Sequence, residues 1–198
     1  MKKMIWLTTI FVLLLVFIVP GILALAINNI PSDVQPSLDK TKDVYGEFYA
    51  VQQFTSLKPN LNSVAMSIKN PNLKNKEMIY FHLYDNEGQL IRTSTLNGLN
   101  VGDGAFVKFN FELIPDSLNQ TYTFVIVSPT SGPENLIALF YTDNKPDWLG
   151  QLAFEEEKVS GGISMVTYHK PTSQFEVVEE IYSNWISRFL HLDSQKTN

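Results

Sequence analysis

The side chains that could bind or react are scattered along this sequence. Its three histidines, His82, His169 and His191, are far apart, and none has the H-x-x-x-H or H-E-x-x-H spacing that holds a metal ion. The G-I-S tripeptide at 162–164 lacks the second glycine of the G-x-S-x-G turn that presents a serine nucleophile. The sequence therefore predicts neither a zinc site nor a serine hydrolase.

Carboxylates allow two other kinds of site. Glycan hydrolysis needs two facing carboxyl groups. Glu155, Glu156 and Glu157 are consecutive, so their neighbouring side chains diverge in an extended chain, and we interpret them as a solvated loop. A pair of distant carboxylates that meet on folding stays open. Calcium prefers clustered oxygen ligands, and four aspartates in predicted loops could supply them: Asp85, Asp103, Asp143 and Asp147. We expect no catalytic residue and no cofactor, with structural calcium as the alternative.

Aromatic residues beside polar ones suggest sugar binding, because exposed rings contact the apolar faces of sugars while a few polar groups orient them. Trp148 follows a polar loop at 143–147, which includes Asp143, and Tyr141 is close in the sequence. We predict that these three residues bind a ligand. The alternative is that Trp148 plugs one end of the folded domain.

A second aromatic group is Tyr80, His82 and Tyr84, which alternate along one predicted strand and so share one face. They could form a flat polar and aromatic binding face. They could equally be ordinary packing or a cross-strand ladder on the outside of a sheet. The pattern favours the second interpretation, and we keep all three as candidate binding residues.

Short β-type segments broken by turn residues must position these side chains. No helical period separates them, which is typical of an antiparallel sandwich or barrel of eight or nine strands. The turn at Asp85–Gly88 joins two of them in a predicted hairpin. The predicted strands cover 48–54, 61–68, 78–84, 89–96, 105–113, 122–127, 136–141, 149–154 and 163–168.

Within residues 48–170, a pattern of strands and turns resembles a known family. It comprises QFTS (53–56), NLNSV (60–64), IYFHLYD (79–85), FVKFNF (106–111), YTF (122–124) and SPT (128–130). This pattern resembles bacterial surface β-sandwich modules with a jelly-roll, galactose-binding-like fold. Those modules are attached to membrane segments, often in proteins with membrane glycosyltransferase parts. The resemblance implies a mainly β jelly-roll sandwich that is non-catalytic and binds glycans. This sequence lacks a polytopic transferase region, so the resemblance does not extend to sugar transfer.

The apolar run from Met4 to Ile27 predicts a membrane segment. As a helix it would be about 36 Å long, enough for a hydrocarbon core of about 30 Å. Lys2 and Lys3 precede it, so we expect the N-terminus in the cytoplasm and the rest outside, as a single-pass cell-membrane protein. We favour a retained anchor over a cleaved signal peptide. Cleavage after Ala26, with Pro20 and Gly21 ending the helix just before the A-x-A site, would give a secreted protein.

The rest of the chain completes the predicted organisation: residues 1–27 are anchor or signal, 28–46 a linker, 47–171 the sandwich, 172–192 an amphipathic helix and 193–198 a disordered tail. Ser173 and Glu176 form a capping box that opens the helix. Its apolar face could dock on the domain, the membrane or a partner. The predicted partner contacts are Ile181, Tyr182, Trp185 and Phe189.

Composition narrows the class of protein. The net charge of −5 argues against nucleic acid as a partner. The absence of cysteine excludes disulfides, thiol nucleophiles and Cys-ligated zinc. We therefore expect a non-catalytic bacterial module, held outside the membrane, that binds a glycan or a cell-envelope protein. The alternatives are a structural accessory subunit of a membrane complex, with helix-mediated contact, and a carboxylate-dependent glycan hydrolase.

Overall fold

A computed structural model describes the backbone of residues 2–194, and their side chains except those of residues 2, 4, 105 and 188–194. The chain forms two compact units. One comprises the two end segments, with α1 (Lys2–Ala26) and α2 (Gln174–Ser194). The other, Pro31–His169, contains the sheets.

Two antiparallel sheets make up the second unit, so the prediction of a mainly β fold is confirmed. The strands are β1 (Ile30–Gln35), β2 (Lys40–Val44), β3 (Ala50–Thr55), β4 (Leu61–Lys69), β5 (Met78–Tyr84), β6 (Leu90–Asn97), β7 (Asp103–Ile114), β8 (Thr121–Val127), β9 (Ile137–Thr142), β10 (Leu149–Phe154), β11 (Glu157–Val159), β12 (Gly162–Ile163) and β13 (Met165–His169). One sheet has the order β11-β10-β3-β8-β5-β6. The other contains β1, β2, β4, β7, β9, β12 and β13.

Each of the nine predicted strands is present, and β5 and β10 have the predicted bounds. The hairpin of β5 and β6 is also confirmed. In its turn, the Asp85 carboxylate accepts hydrogen bonds from the amides of Glu87 and Gln89, and Gly88 adopts a positive φ of 78°. The structure contains more strands than the eight or nine expected, because β1, β2 and β11 are additional and the last predicted strand is divided into β12 and β13.

The predicted linker at 28–46 is wrong, because β1 and β2 occupy most of it. β1 is held by polar contacts: the Thr167 hydroxyl donates to the Asp33 carboxylate at 2.7 Å, and the Ser164 hydroxyl donates to the Gln35 carbonyl at 3.1 Å. A strand held in this way carries no apolar period for sequence analysis to detect.

The sandwich core is formed by inward-facing side chains of both sheets. In β5 and β8 every second residue is buried, as expected for strands with one covered face. Phe81 of β5 lies at the centre, with ring centroids 5.3 Å from Phe109, 5.9 Å from Phe111 and 5.3 Å from Phe124. These contacts join β5 and β8 of one sheet to β7 of the other.

In the helical unit, α1 contains Ile5–Ala26, which is long and apolar enough to cross a membrane, as a signal sequence also would be. The prediction that Pro20 and Gly21 end this helix is wrong, since it continues to Ala26. α2 begins as predicted: the Ser173 hydroxyl accepts the amide of Glu176, and the Glu176 carboxylate bonds Thr172. α2 reaches Ser194, so the predicted tail begins too early by two residues, and 195–198 lie outside the described residues.

Candidate functional site

The candidate site is the outer face of the six-stranded sheet, opposite its core side. Tyr80, His82 and Tyr84 point outward there because Ile79, Phe81 and Leu83, which alternate with them, are fully buried. The neighbouring strands β3, β6 and β8 contribute the rest of the surface. We use the name outer face for the following residues: Val51, Gln53, Thr55, Tyr80, His82, Tyr84, Thr93, Thr95, Thr121, Thr123, Val125 and Val127.

Strand register puts the aromatic row of β5 between β8 and the edge strand β6. His82 lies opposite Thr93 on β6 and opposite Val125 on β8. Tyr80 lies opposite Thr95 and Val127 in the same way. At about 4.8 Å per strand spacing, the four strands make a platform about 14 Å wide.

Side-chain contacts order the platform. The rings of Tyr80 and His82 are nearly parallel, with an interplanar angle of 9° and centroids 6.1 Å apart. His82 Nδ1 is 3.1 Å from the Thr93 hydroxyl, and the hydroxyls of Thr55 and Thr121 are 3.2 Å apart. The aromatic row is thus held by its neighbours and presents hydroxyl and imidazole groups at fixed positions.

The twelve residues of the outer face include no aspartate, glutamate, lysine or arginine, although 18% of the chain is charged. The same side of the sheet carries Lys158 on β11, two strands beyond β3. The polar groups of the outer face are hydroxyls, one amide and one imidazole. Because these residues carry no charge, recognition by them depends on hydrogen bonds and ring contacts. The threonine rows were missed in sequence analysis, because only strand pairing places residues from four segments on one surface.

The seven-stranded sheet differs from the outer face in carrying a charged side chain in contact with an aromatic ring. Its β7 carries Lys108, whose Nζ lies 3.5 Å from the ring centroid of Tyr168 on β13. Burial lowers the pKa of the Lys108 ammonium. Such a pair is an ordinary cation–π contact and stabilises its own sheet.

The second predicted group, around Trp148, lies at the β9–β10 connection. Trp148 is half-buried and packs on the core. Tyr141 is also half-buried, with its ring edge-on to Phe154 at 5.4 Å, and Asp143 is ion-paired with Lys40. The hydrogen bond and the ion pair with Asp143 raise the pKa of Lys40.

The loop that leads to Trp148 is also held in place by the protein. Lys145 Nζ donates to the carbonyls of Leu149 and Gly150, and Gln35 donates to the Asn144 carbonyl at 3.0 Å. These contacts give the loop a structural role. The ligand-binding role of Trp148, Tyr141 and Asp143 stays a prediction.

Two residues that the sequence analysis weighed for reactivity, Ser164 and Glu155, take part in structural hydrogen bonds. Ser164 is buried and bonds the Gln35 carbonyl, and the Glu155 amide bonds the Tyr49 carbonyl in the turn after β10. Among the residues whose side chains the structure describes, no group of three or more His, Asp or Glu could hold a metal ion, and the calcium alternative stays a prediction. Asp85, one of the four proposed ligands, instead closes its own turn.

The predicted partner contacts on α2 are brought against α1. Ile181 packs on a small buried cluster of Ala24, Ile30 and Val177, and the Tyr182 hydroxyl donates to the Val16 carbonyl at 2.6 Å. Trp185 is 5.9 Å from Tyr182, edge to face, and remains partly exposed. The side chain of Phe189 lies outside the described residues.

Comparison with known proteins identifies no family. No family model matches the chain, and no curated protein matches it. Among solved structures, it is similar to a CocE/NonD family hydrolase from Staphylococcus aureus, with a TM-score of 0.26 and 9% identity. The match covers 74% of this chain and 35% of the hydrolase, so it spans about a third of that protein's length. A likeness this weak carries no argument about fold or activity.

Proposed function

We propose that this protein is a non-catalytic, membrane-anchored module with a jelly-roll sandwich, whose outer face binds an uncharged glycan outside the cell. The observation that carries the proposal is the row of Tyr80, His82 and Tyr84 on β5, whose neighbours on β3, β6 and β8 carry no formal charge on this side of the sheet. The location outside the cell rests on the two lysines that precede the apolar helix.

The chemistry of the outer face suits a neutral sugar. Sugar hydroxyls both donate and accept hydrogen bonds, as do the threonine and tyrosine hydroxyls, the Gln53 amide and the imidazole of His82. Rings contribute apolar contact to the carbon faces of a pyranose. The twelve residues themselves offer no counter-ion to a charged ligand. A long, flat polysaccharide is the ligand class that best matches a flat platform.

Glycan binding is tested with the full chain in detergent micelles on an array of neutral and acidic polysaccharides. We expect a neutral glycan to bind, and Tyr80→Ala to weaken its affinity about fivefold, since one aromatic contact contributes about 1 kcal/mol. Asn110→Ala, an exposed change on the opposite sheet, is the matched control and should bind as the wild type does.

The same array separates the two candidate sites. If Tyr80→Ala binds the glycan fully and Trp148→Ala loses glycan binding, the binding site lies at the β9–β10 connection. Absence of binding to any glycan would favour the second proposal, a structural accessory subunit, for which the specific observation is the exposed apolar side chains of α2, Phe175, Trp185 and Ile186. Turnover of a polysaccharide would instead support the carboxylate hydrolase.

The anchor is tested by intact-mass measurement of the protein extracted from bacterial membranes. We expect the uncleaved chain of 22.5 kDa. Cleavage at the A-x-A site requires an accessible, unwound segment. Here the A-x-A site, Ala24 to Ala26, lies within the helix α1. If the measured mass is that of a chain beginning at Ile27, the helix is a removed signal peptide and the module is secreted.

A further inference from the structure

The contact between α1 and α2 follows a single stripe of α1. Val16, Pro20, Ala24 and Ile27 recur at helical spacing, and Pro20 and Ala24 are buried although most of α1 is exposed. The small side chain of Ala24 allows the two helices to approach closely at that position. α2 covers the stripe with Val177, Val178 and Ile181. These residues belong to the predicted apolar face of α2.

One hydrogen bond makes this contact specific. In an α-helix the amide of residue 20 would bond the carbonyl of residue 16, but Pro20 has no amide hydrogen. The Val16 carbonyl is therefore deprived of its helical donor. The Tyr182 hydroxyl of α2 donates to that oxygen at 2.6 Å. A proline that normally disrupts a helix is thus accommodated by a side chain 162 positions later in the chain.

The position of this bond conflicts with a membrane-spanning α1. Val16 is central in Ile5–Ala26, about 15 Å from either end. α2 runs antiparallel to α1, because Val177 meets Ala24 while Tyr182 meets Val16. If α1 spanned a bilayer with α2 attached, Glu179 and Glu180 would enter the hydrocarbon. The cost of burying such charges exceeds what one hydrogen bond and a few aliphatic contacts return.

We propose that α2 is an intramolecular mask for α1, and that the paired state and the membrane-spanning state exclude each other. In the chain that has not inserted, α2 covers the Val16–Ile27 stripe and Tyr182 satisfies the Val16 carbonyl. When α1 enters the bilayer, lipid replaces α2 along the stripe and the carboxylates of α2 stay in water. This inference rests on the proposed membrane attachment of the module.

Disulfide trapping tests the mask, and the absence of native cysteines makes the result unambiguous. The full chain with Ala24→Cys and Val177→Cys is synthesised in a cell-free system, with or without phosphatidylcholine vesicles, and then oxidised. We expect efficient cross-linking without vesicles and at least fivefold less in chains that resist carbonate extraction. Leu25→Cys with Val177→Cys is the matched control, because Leu25 is 71% exposed, and it should cross-link poorly in both cases.

The outcomes separate this proposal from the preceding one. If inserted chains cross-link as efficiently as free chains, the proposal of a mask is overturned and the proposal of a membrane anchor is unaffected. Chains that never resist carbonate would overturn both proposals. Equal cross-linking by the control pair in free chains would overturn the stripe contact.

A second pair of variants tests Tyr182 itself. Without vesicles, Tyr182→Phe should reduce the rate of cross-linking about threefold to tenfold, as expected for loss of one hydrogen bond. On a Pro20→Ala background the effect should largely disappear, because residue 20 then supplies the amide donor to Val16. An equal reduction of the cross-linking rate on both backgrounds would contradict a hydrogen bond between Tyr182 and the Val16 carbonyl, which lacks an amide donor because of Pro20.

Discussion

Phe81→Ala is expected to lower the free energy of unfolding of the sandwich by about 3–5 kcal/mol, the usual cost of truncating a buried phenylalanine. Phe81 is 0% exposed and its ring contacts three other phenylalanine rings, at least one of which lies on each sheet. Alanine would leave a cavity between the sheets that β-structure on both sides closes only in part. Guanidinium titration followed by tyrosine and tryptophan fluorescence measures the effect.

Two control variants separate the effect of burial from the effect of removing an aromatic ring. Phe106→Ala removes the same atoms at a side chain that is 48% exposed and should change the stability by less than about 1 kcal/mol. Tyr80→Ala, on the outward side of the same strand as Phe81, should weaken glycan binding with little effect on unfolding. If the unfolding midpoint of Phe81→Ala equals that of Phe106→Ala, the packing of the two sheets around Phe81 is contradicted.

Asn70→Asp is expected to destabilise the sandwich by a similar amount, about 3–5 kcal/mol, because it places an unpaired charge in the interior. Asn70 is fully buried, and its amide group donates to the carbonyls of Asn75, Gly98 and Val101 at 3.0, 3.1 and 3.3 Å. Its Oδ1 accepts the Asn75 amide at 2.8 Å. A carboxylate would keep the last bond and place an oxygen against three carbonyl oxygens.

Asn110→Asp makes the same chemical change at an exposed position and should leave the unfolding midpoint nearly unchanged. The destabilisation by Asn70→Asp should also shrink at low pH, as protonation removes the buried charge. A pH-independent effect, or a midpoint equal to that of the control, would show that Asn70 does not join these loops. The loops are further constrained at Gly98, where a Cβ would lie 2.1 Å from Asn75 Oδ1.

Much of the sheet structure could be predicted from the sequence because alternation is a local property. A strand with one covered face repeats every two residues, so the pattern from Met78 to Tyr84 is sufficient to define β5 and its two faces. The hairpin turn follows from the turn residues at 85–88. The start of α2 follows from its capping residues, which bond as predicted. These features depend on neighbours in the chain.

The misjudged segments depend on distant partners. β1 is polar, yet Thr167 and Ser164 hold it in a sheet more than 120 residues away in the chain. Pro20 has the local chemistry of a helix end, yet α1 continues through it, and Tyr182 provides the missing donor. Neither outcome can be predicted from the composition of the segment concerned.

The sequence by itself determined the two faces of each main strand, the apolar length of α1 and the amphipathic character of α2, because each is set by side-chain period within one segment. The tertiary structure alone decided which faces combine. Strand pairing assembled threonines from four segments around Tyr80, His82 and Tyr84 into one uncharged surface. Helix pairing directed α2 onto α1. Both depend on contacts between residues far apart in the chain, which local patterns do not encode.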